Sequence, residues 1–234
     1  MGITNETIAR VRAGEIVHLR APRDFSPLYH LLTCNLEHEI ECETPFPQAF
    51  HGLFWEEELQ PALATLVAQL DASKDHYRLL AQTLIDGGVS AEEGLLDITL
   101  DKSLRLCLTG RHKKNYGYQI HRDSWFDLAP DGVNIVLYLT DVPAHGNTQF
   151  YTDTFGVDVP HDPTTRRVLD DSDLRRVTAF HCRAGDVLVF SGDHLHSGAL
   201  CETDRFSVEF RLSRCWEYGR PDQGIEYRGL SEFI

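Results

Sequence analysis

The sequence lacks any apolar run close to the length of about 20 residues that a membrane-spanning helix requires. Residues 1–20 contain no apolar stretch of signal-peptide length, and Glu6 stands where a myristoylation signal needs serine or threonine. We therefore expect no membrane partner and a cytoplasmic location.

Positive charge is also scarce, because 22 Lys and Arg residues face 36 Asp and Glu residues, which gives a net charge of −14 at pH 7. Such a surface repels nucleic acids, so no nucleic-acid partner is expected.

The six cysteines include no C-x-x-C pair, which argues against a zinc ribbon and favours reduced thiols. With 234 residues, 42% of them hydrophobic, the chain can bury a full core, and we expect one domain, 1–234.

The hydrophobic period changes near residue 96. Before it, apolar residues recur at helical spacing in two stretches, 59–70 and 77–84. Ser73 is placed to cap the second helix, and the glycine pair at 87–88 is placed to end it. Residues 1–95 are therefore predicted to be mainly helical support.

After residue 96, short apolar or alternating runs are separated by Gly, Pro and Asp, which is typical of antiparallel sheet. These runs are 104–108, 133–139, 177–182, 187–190 and 206–212. A charged insertion, 153–176, is expected to be a surface loop or a lid. The pattern predicts an α+β, mainly β fold: a double-stranded β-helix (jelly-roll, cupin-like) barrel over 96–215, with an N-terminal helical layer and a C-terminal extension over 216–234.

Two segments of the strand-rich half concentrate metal-binding side chains, 118–125 and 192–197. In an extended chain, side chains two positions apart share a face, so His121 and Asp123 can hold one ion. A third imidazole, from His196, would complete a face of two histidines and one carboxylate. That ligand set suits non-haem Fe(II) enzymes that activate oxygen.

A guanidinium and a hydroxyl follow on one face of the next strand, at Arg205 and Ser207. They suit the far carboxylate of a dicarboxylate that chelates the metal through its other end. His194 competes with His196 as the ligand, although the spacing to Arg205 favours His196. Arg211 is expected on the same inward face of the strand as Arg205 and is therefore an alternative anchor for the carboxylate. It could otherwise contact the substrate or an acidic neighbour.

These motifs, in this order along the chain, resemble those of the Fe(II)- and 2-oxoglutarate-dependent oxygenases, and most closely their phytanoyl-CoA hydroxylase-like branch. The motifs are His121-x-Asp123, the strand 185–190, His196-Ser197-Gly198 and Arg205-x-Ser207. The resemblance implies that the two histidines and the aspartate bind Fe(II), and that the Arg-x-Ser strand binds 2-oxoglutarate. It also implies that O2 is the oxidant, that 2-oxoglutarate is decarboxylated to succinate, and that a C–H bond of the substrate is hydroxylated. Halogenases of this family lack the carboxylate, so Asp123 favours hydroxylation over chlorination.

Further polar contacts to 2-oxoglutarate or substrate are expected from side chains on or beside the flanking strands: Tyr118, Asn134, Gln149 and Tyr151. Trp125 is expected to pack at the barrel rim or to wall the substrate pocket. The six Asp and four Arg of 153–176 suit a small polar substrate, such as an amino acid or an amino sugar, and equally a solvated loop.

Two other functions stay open at this point. One is a metal-binding cupin-like module that binds or isomerises sugars, and the other is an oxygenase that acts on a peptide side chain. The sequence alone also leaves open desaturation or ring closure in place of hydroxylation, and it does not indicate the oligomeric state.

Overall fold

The structure is a computed structural model that describes residues 2–40, 60–90, 95–99, 105–109, 119–126, 131–198, 205–213 and 225–233. Its helices are α1 (Asn5–Arg12), α2 (Ser26–Ile40), α3 (Gln60–Ser73) and α4 (Asp75–Asp86). Its strands are β1 (Val17–Leu19), β2 (Leu95–Thr99), β3 (Arg105–Thr109), β4 (Val133–Tyr138), β5 (Gln149–Tyr151), β6 (Val177–Ala179), β7 (Val187–Ser191), β8 (His196–Ser197), β9 (Arg205–Ser213) and β10 (Ile225–Gly229). In these ranges, no helix is both long and apolar enough to cross a membrane.

The described strands form two antiparallel sheets. The larger sheet has the order β1-β7-β4-β9-β2-β10, and β3 pairs with β9 beyond the end of β2. The smaller sheet has the order β6-β5-β8. Sheets and helices together confirm the predicted β-rich α+β class.

Alternate residues of the central strands pack into two different cores. In β4, Ile135 and Leu137 belong to a large cluster shared with the helices, whereas Val136 and Tyr138 face a second cluster that contains Phe150. Both faces of β4 are therefore covered, which explains why its sequence is almost continuously apolar. Each such fully buried side chain contributes about 1.5 to 3 kcal/mol to folding.

The second predicted helix is confirmed as α4. The predicted cap is wrong, because Ser73 is the last residue of α3 and Lys74 occupies the N-cap of α4 without a side-chain hydrogen bond. The Ser73 hydroxyl does accept a hydrogen bond from the backbone N–H of Asp75 at 3.2 Å. The helix ends at Gly87, and Gly88 follows with φ 91°, a conformation that glycine adopts without strain. The first predicted helix corresponds to α3, which begins at Gln60; residue 59 lies outside the described residues.

The predicted strand 177–182 is wrong in length, because β6 ends at Ala179. Beyond it the chain changes partner, and Cys182 forms an isolated bridge with Val142 instead of continuing along β5. The other four predicted strands are present within one residue of their expected ends. The insertion 153–176 is described throughout and is strand-poor as predicted, with one isolated bridge between His161 and Val168.

The C-terminal residues belong to the larger sheet. Strand β10 pairs with β2 over five positions, from Ile225 opposite Thr99 to Gly229 opposite Leu95. The short helix that follows buries Leu230 in the helical core. The segment that was predicted as an extension is therefore part of the packing that supports the sheet.

Candidate metal centre

The two segments with metal-binding side chains meet in a single backbone bridge. The N–H of His121 donates to the carbonyl of His196, and the N–H of His196 donates to the carbonyl of His121, both at 2.9 Å. This exchange places the two rings side by side, with centroids 4.5 Å apart. The backbone therefore brings together imidazoles that are 75 positions apart (196 − 121) in the sequence.

Asp123 does not lie on a regular strand as the sequence pattern predicted. It begins a short 3-10 helix, Asp123–Phe126, and its N–H donates to the carbonyl of Gly192 at 2.9 Å. The chain turns here because this bond ties it to the turn that precedes His196. Its carboxylate still faces His121, with 3.8 Å between Nε2 and Oδ1.

The ligand atoms of His121, Asp123 and His196 all lie within 4.8 Å of one another. Nδ1 of His121 contacts the carbonyl of Gln119 at 2.7 Å, and Nδ1 of His196 contacts the carbonyl of His194 at 2.9 Å. Because a carbonyl can only accept, each Nδ1 carries the proton, and each Nε2 is left with a lone pair. Histidine metal ligands are fixed in this way.

The carboxylate of Asp123 receives a donor on each oxygen. Oδ1 accepts from Nη2 of Arg211 at 3.1 Å, and Oδ2 accepts from Nδ2 of Asn134. Burial alone would raise the pKa of Asp123, but the charge of Arg211 and the hydrogen bond from Asn134 hold the pKa below its usual range. The side chain is therefore a carboxylate at neutral pH.

The centre offers one carboxylate and two imidazoles. Burial lowers the pKa of His196, which is 8% exposed, so its ring is uncharged at neutral pH. Two imidazole nitrogens and one carboxylate oxygen form the donor set of a non-haem Fe(II) site. The residues present therefore fit a divalent iron ion.

Arg205 lies on β9 with its guanidinium in the interior. Its side chain is 8% exposed, and Nη1 donates to Oγ1 of Thr148 at 3.1 Å. Its buried Nε has no hydrogen-bond partner among the described residues. Ser207, 1% exposed, lies two positions further along the same strand. A buried guanidinium with a spare donor fits the far carboxylate of 2-oxoglutarate.

Arg211 is engaged differently from Arg205. Its Nε donates to Oδ1 of Asn134 at 2.9 Å, and its Nη2 contacts Asp123 and Oε1 of Glu209, each at 3.1 Å. Of the alternatives that the sequence left open, the structure shows Arg211 beside acidic neighbours. Asn134, expected as a contact to small molecules, contacts the carboxylate of Asp123.

His194 is oriented away from the metal-binding face. Its Nδ1 accepts from the N–H of Ser191 at 3.1 Å, and its Nε2 donates to the carbonyl of Gly14 at 3.1 Å. The ring is 1% exposed, so it is a packed side chain and not a surface one. Both nitrogens are used by the backbone, which supports His196 as the metal-binding residue.

A cavity of about 440 Å³ is lined by the chain on either side of the candidate site, although His121, Asp123 and His196 are not among its lining residues. Its lining residues are Gln119, Ile120, His145, Gln149, Tyr151, Arg167, Val168, Asp171, Ser197 and Gly198. Four of these lie within two positions of His121 or His196 in the sequence. Of the polar contacts predicted from the sequence, Gln149 and Tyr151 line this cavity, and Tyr118 lies outside the described residues.

The insertion 153–176 is fastened to the segment that carries Asp123. The ring of Trp125 stacks on that of His161, with centroids 4.0 Å apart and an interplanar angle of 9°. Nη2 of Arg122 donates to the carbonyls of Thr154 and Val157, both at 2.7 Å. Trp125 is not among the lining residues, so it supports the insertion instead of walling the cavity.

Four residues near the site were not singled out from the sequence. His145, Arg167 and Asp171 line the cavity, and Glu209 contacts Arg211. Glu209 could have been found, because the alternation of side chains along a strand places it on the same face as Arg205 and Ser207. Arg167 and Asp171 carry no local signal, since the path of the insertion brings them to the cavity.

A second group of metal-binding side chains, formed by His18, Cys182 and Asp186, has a structural explanation. The carboxylate of Asp186 accepts from the N–H groups of Ala21 and Arg183 and contacts Nε2 of His18, each at 2.9 Å. Burial raises the pKa of the Cys182 thiol to about 12, so it stays protonated. This group ties β1 to the turn before β7.

Comparison with family models finds no match, and comparison with curated proteins finds none either. Solved structures do resemble this chain. The epimerase SnoN, in complex with Fe3+, alpha-ketoglutarate and nogalamycin RO, matches with a TM-score of 0.53 and 11% identity over 93% of this chain and 89% of SnoN.

Two further structures match at a TM-score of 0.50. The non-haem alpha-ketoglutarate-dependent carbocyclase SnoK from nogalamycin biosynthesis is 14% identical, over 90% of this chain and 84% of SnoK. EvdO2 from Micromonospora carbonacea var. aurantiaca, complexed with 2-oxoglutarate, is 16% identical, over 91% of this chain and 92% of EvdO2. At these identities the likeness concerns the fold, and the chain therefore has the fold of these enzymes.

Proposed function

We propose that this protein is an Fe(II)- and 2-oxoglutarate-dependent dioxygenase that hydroxylates an unactivated C–H bond of a small polar metabolite and converts 2-oxoglutarate to succinate. One observation carries the proposal: the ligand atoms of His121, Asp123 and His196 lie within 4.8 Å of one another, and both imidazoles are anchored at Nδ1. A fold shared with enzymes whose crystal structures hold 2-oxoglutarate supports it.

Two finer assignments belong to the same proposal. The fold is a double-stranded β-helix barrel, supported by two antiparallel sheets whose side chains meet in a common cluster around Phe150. The chain belongs to the phytanoyl-CoA hydroxylase-like branch, supported by His121-x-Asp123 and Arg205-x-Ser207 in this order along the chain.

Each residue has a distinct task in this proposal. His121, Asp123 and His196 would hold Fe(II), a set of three protein ligands that is typical of sites where a cosubstrate and O2 also bind. Arg205 and Ser207 bind the far carboxylate of 2-oxoglutarate. When bound, the iron and the cosubstrate supply the oxidising power, and the protein fixes geometry, excludes water and selects the C–H bond.

The cavity indicates the substrate class. Arg167 and Asp171 bring one charge of each sign to its lining, and Gln149 and Tyr151 add neutral polar groups. A ligand with a carboxylate and an amine, such as an amino acid, or with an amine and several hydroxyls, such as an amino sugar, matches these groups. The volume of about 440 Å³ suits a free metabolite better than a folded polypeptide.

The test is an anaerobic titration of the metal-free protein with Fe(II) and then 2-oxoglutarate. We expect a weak visible charge-transfer band that requires both additions and disappears in His121→Ala. The control is His181→Ala, an exposed histidine remote from the centre in sequence, which should retain the band. A protein that binds metal but shows no 2-oxoglutarate-dependent band would be a cupin-like module, and the proposal would be wrong.

The substrate is then found by succinate release in a screen of amino acids, amino sugars and aminocyclitols. Hydroxylation adds one oxygen atom to the product, whereas desaturation or ring closure removes two hydrogens and epimerisation leaves the mass unchanged. No stimulation by any compound, with stimulation by a peptide library, would favour the peptide-modifying alternative.

A further inference from the structure

We infer that Arg211 is a positioning residue that, together with Asn134, fixes the metal-binding carboxylate of Asp123; this inference rests on the function proposed above. The three side chains form a closed ring. Nε of Arg211 donates to Oδ1 of Asn134 at 2.9 Å, and Nη2 of Arg211 donates to Oδ1 of Asp123 at 3.1 Å. The amide nitrogen of Asn134 closes the ring on Oδ2 of Asp123.

The ring fixes the rotation of a group that is otherwise free to turn. The torsion that rotates an aspartate carboxylate has a broad energy profile, so burial alone does not select one orientation. Here each carboxylate oxygen has its own donor, and Oδ1 is held 3.8 Å from Nε2 of His121. The amide of Asn134 is also fixed, because a flip would turn its NH2 group toward the guanidinium and its oxygen toward the carboxylate.

The backbone sets this arrangement before any metal binds. Asn134 on β4 and Arg211 on β9 lie directly opposite each other in the antiparallel register, where side chains interact most closely. Oε1 of Glu209 lies 3.1 Å from Nη2 of Arg211 and forms an ion pair with it. The side chain of Arg211 is 13% exposed, which limits competition from water.

A positioning role and a purely electrostatic role predict opposite results. A guanidinium beside Asp123 repels a divalent cation, so by Coulomb's law alone its removal strengthens metal binding. If Arg211 instead orients the carboxylate, its removal weakens metal binding, although a repelling charge is lost. Partners of metal ligands typically contribute 10- to 100-fold to metal affinity.

The experiment titrates Co(II) into the metal-free full-length protein and records the affinity and the visible d–d spectrum. We expect Arg211→Lys, which keeps the charge but loses the fork, and Arg211→Met to weaken Co(II) binding by about 10- to 100-fold and to change the spectrum. The matched control is Arg12→Lys. Arg12 pairs with Asp131 at 3.2 Å and is equally 13% exposed, but it lies outside the site, so this variant should match the wild type.

The inference is overturned if Arg211→Lys has the wild-type affinity and spectrum, or if Arg211→Met binds Co(II) more tightly. Circular dichroism shows whether each variant is folded. Should Arg211→Met fail to fold, Arg211→Lys and Asn134→Ala decide the question in the same assay. A wild-type protein that does not bind Co(II) would instead contradict the proposed function, so the two failures are distinguishable.

Discussion

Replacing Arg205 by alanine should greatly weaken the binding of 2-oxoglutarate. The guanidinium is 8% exposed, and its Nε has no partner among the described residues. Without it, Ser207 would be the one proposed hydrogen-bond donor left for the buried far carboxylate of the cosubstrate. Loss of one partner of a buried charge pair costs about 2 to 5 kcal/mol, which corresponds to a roughly 30- to 5,000-fold increase in Kd.

The assay is an anaerobic titration of 2-oxoglutarate into the Fe(II)-loaded variant, followed through the visible charge-transfer band. Arg205→Lys keeps the positive charge but loses the paired donors of the planar guanidinium, so its Kd should fall between those of the alanine variant and the wild type. Arg12→Ala is the control for loss of a largely buried arginine elsewhere. An unchanged Kd in Arg205→Ala would refute the reasoning, because it would show that Arg205 is not the anchor of the far carboxylate.

Three further predictions concern the ligand, the pH dependence and the insertion. Asp123→Gly should abolish Fe(II)-dependent turnover while the far-ultraviolet circular dichroism stays native; undiminished turnover would show that Asp123 is not a ligand. Burial lowers the pKa of His194 and His196 below 6.5, so the unfolded chain binds more protons below that pH. Urea unfolding of the metal-free protein should therefore give full stability above pH 6.5 and a loss as the pH falls below it, and a flat profile would contradict this account. Trp125→Ala removes the stack on His161 and should speed tryptic cleavage within 153–176, where four arginines lie; an unchanged cleavage rate would mean that the stack does not hold the insertion.

Local patterns in the sequence predicted those parts of the fold that local forces determine. The helix α4 followed from a 3.6-residue period with a serine before it and two glycines after it. The central strands β4 and β7 followed from short apolar runs. Strand β6 was predicted too long, because its end depends on a change of pairing partner from β5 to Val142, which no local pattern encodes.

The candidate site likewise has features that the sequence predicted and features that it did not. His-x-Asp alone did not identify the site, and the convergence of His121, Asp123 and His196 was predicted from the family resemblance of the whole ordered motif. The pairing of Asp123 with Arg211 was not predictable from the sequence, because the two residues are 88 positions apart. The alternation of side chains along a strand also assigns Arg205 and Arg211 to the same face, so it could not show which of them lies beside Asp123. The cavity depends on the course of the charged insertion, and composition alone could not distinguish a lining segment from a solvated loop.

The central claim is that His121, Asp123 and His196 share one Fe(II) ion. The most direct measurement is an anaerobic crystal structure of the protein with Fe(II) and 2-oxoglutarate, with the iron located by its anomalous scattering. The account predicts one iron peak within bonding distance of both Nε2 atoms and one carboxylate oxygen. A peak that contacts only one of these residues, or that lies at another site, would contradict it.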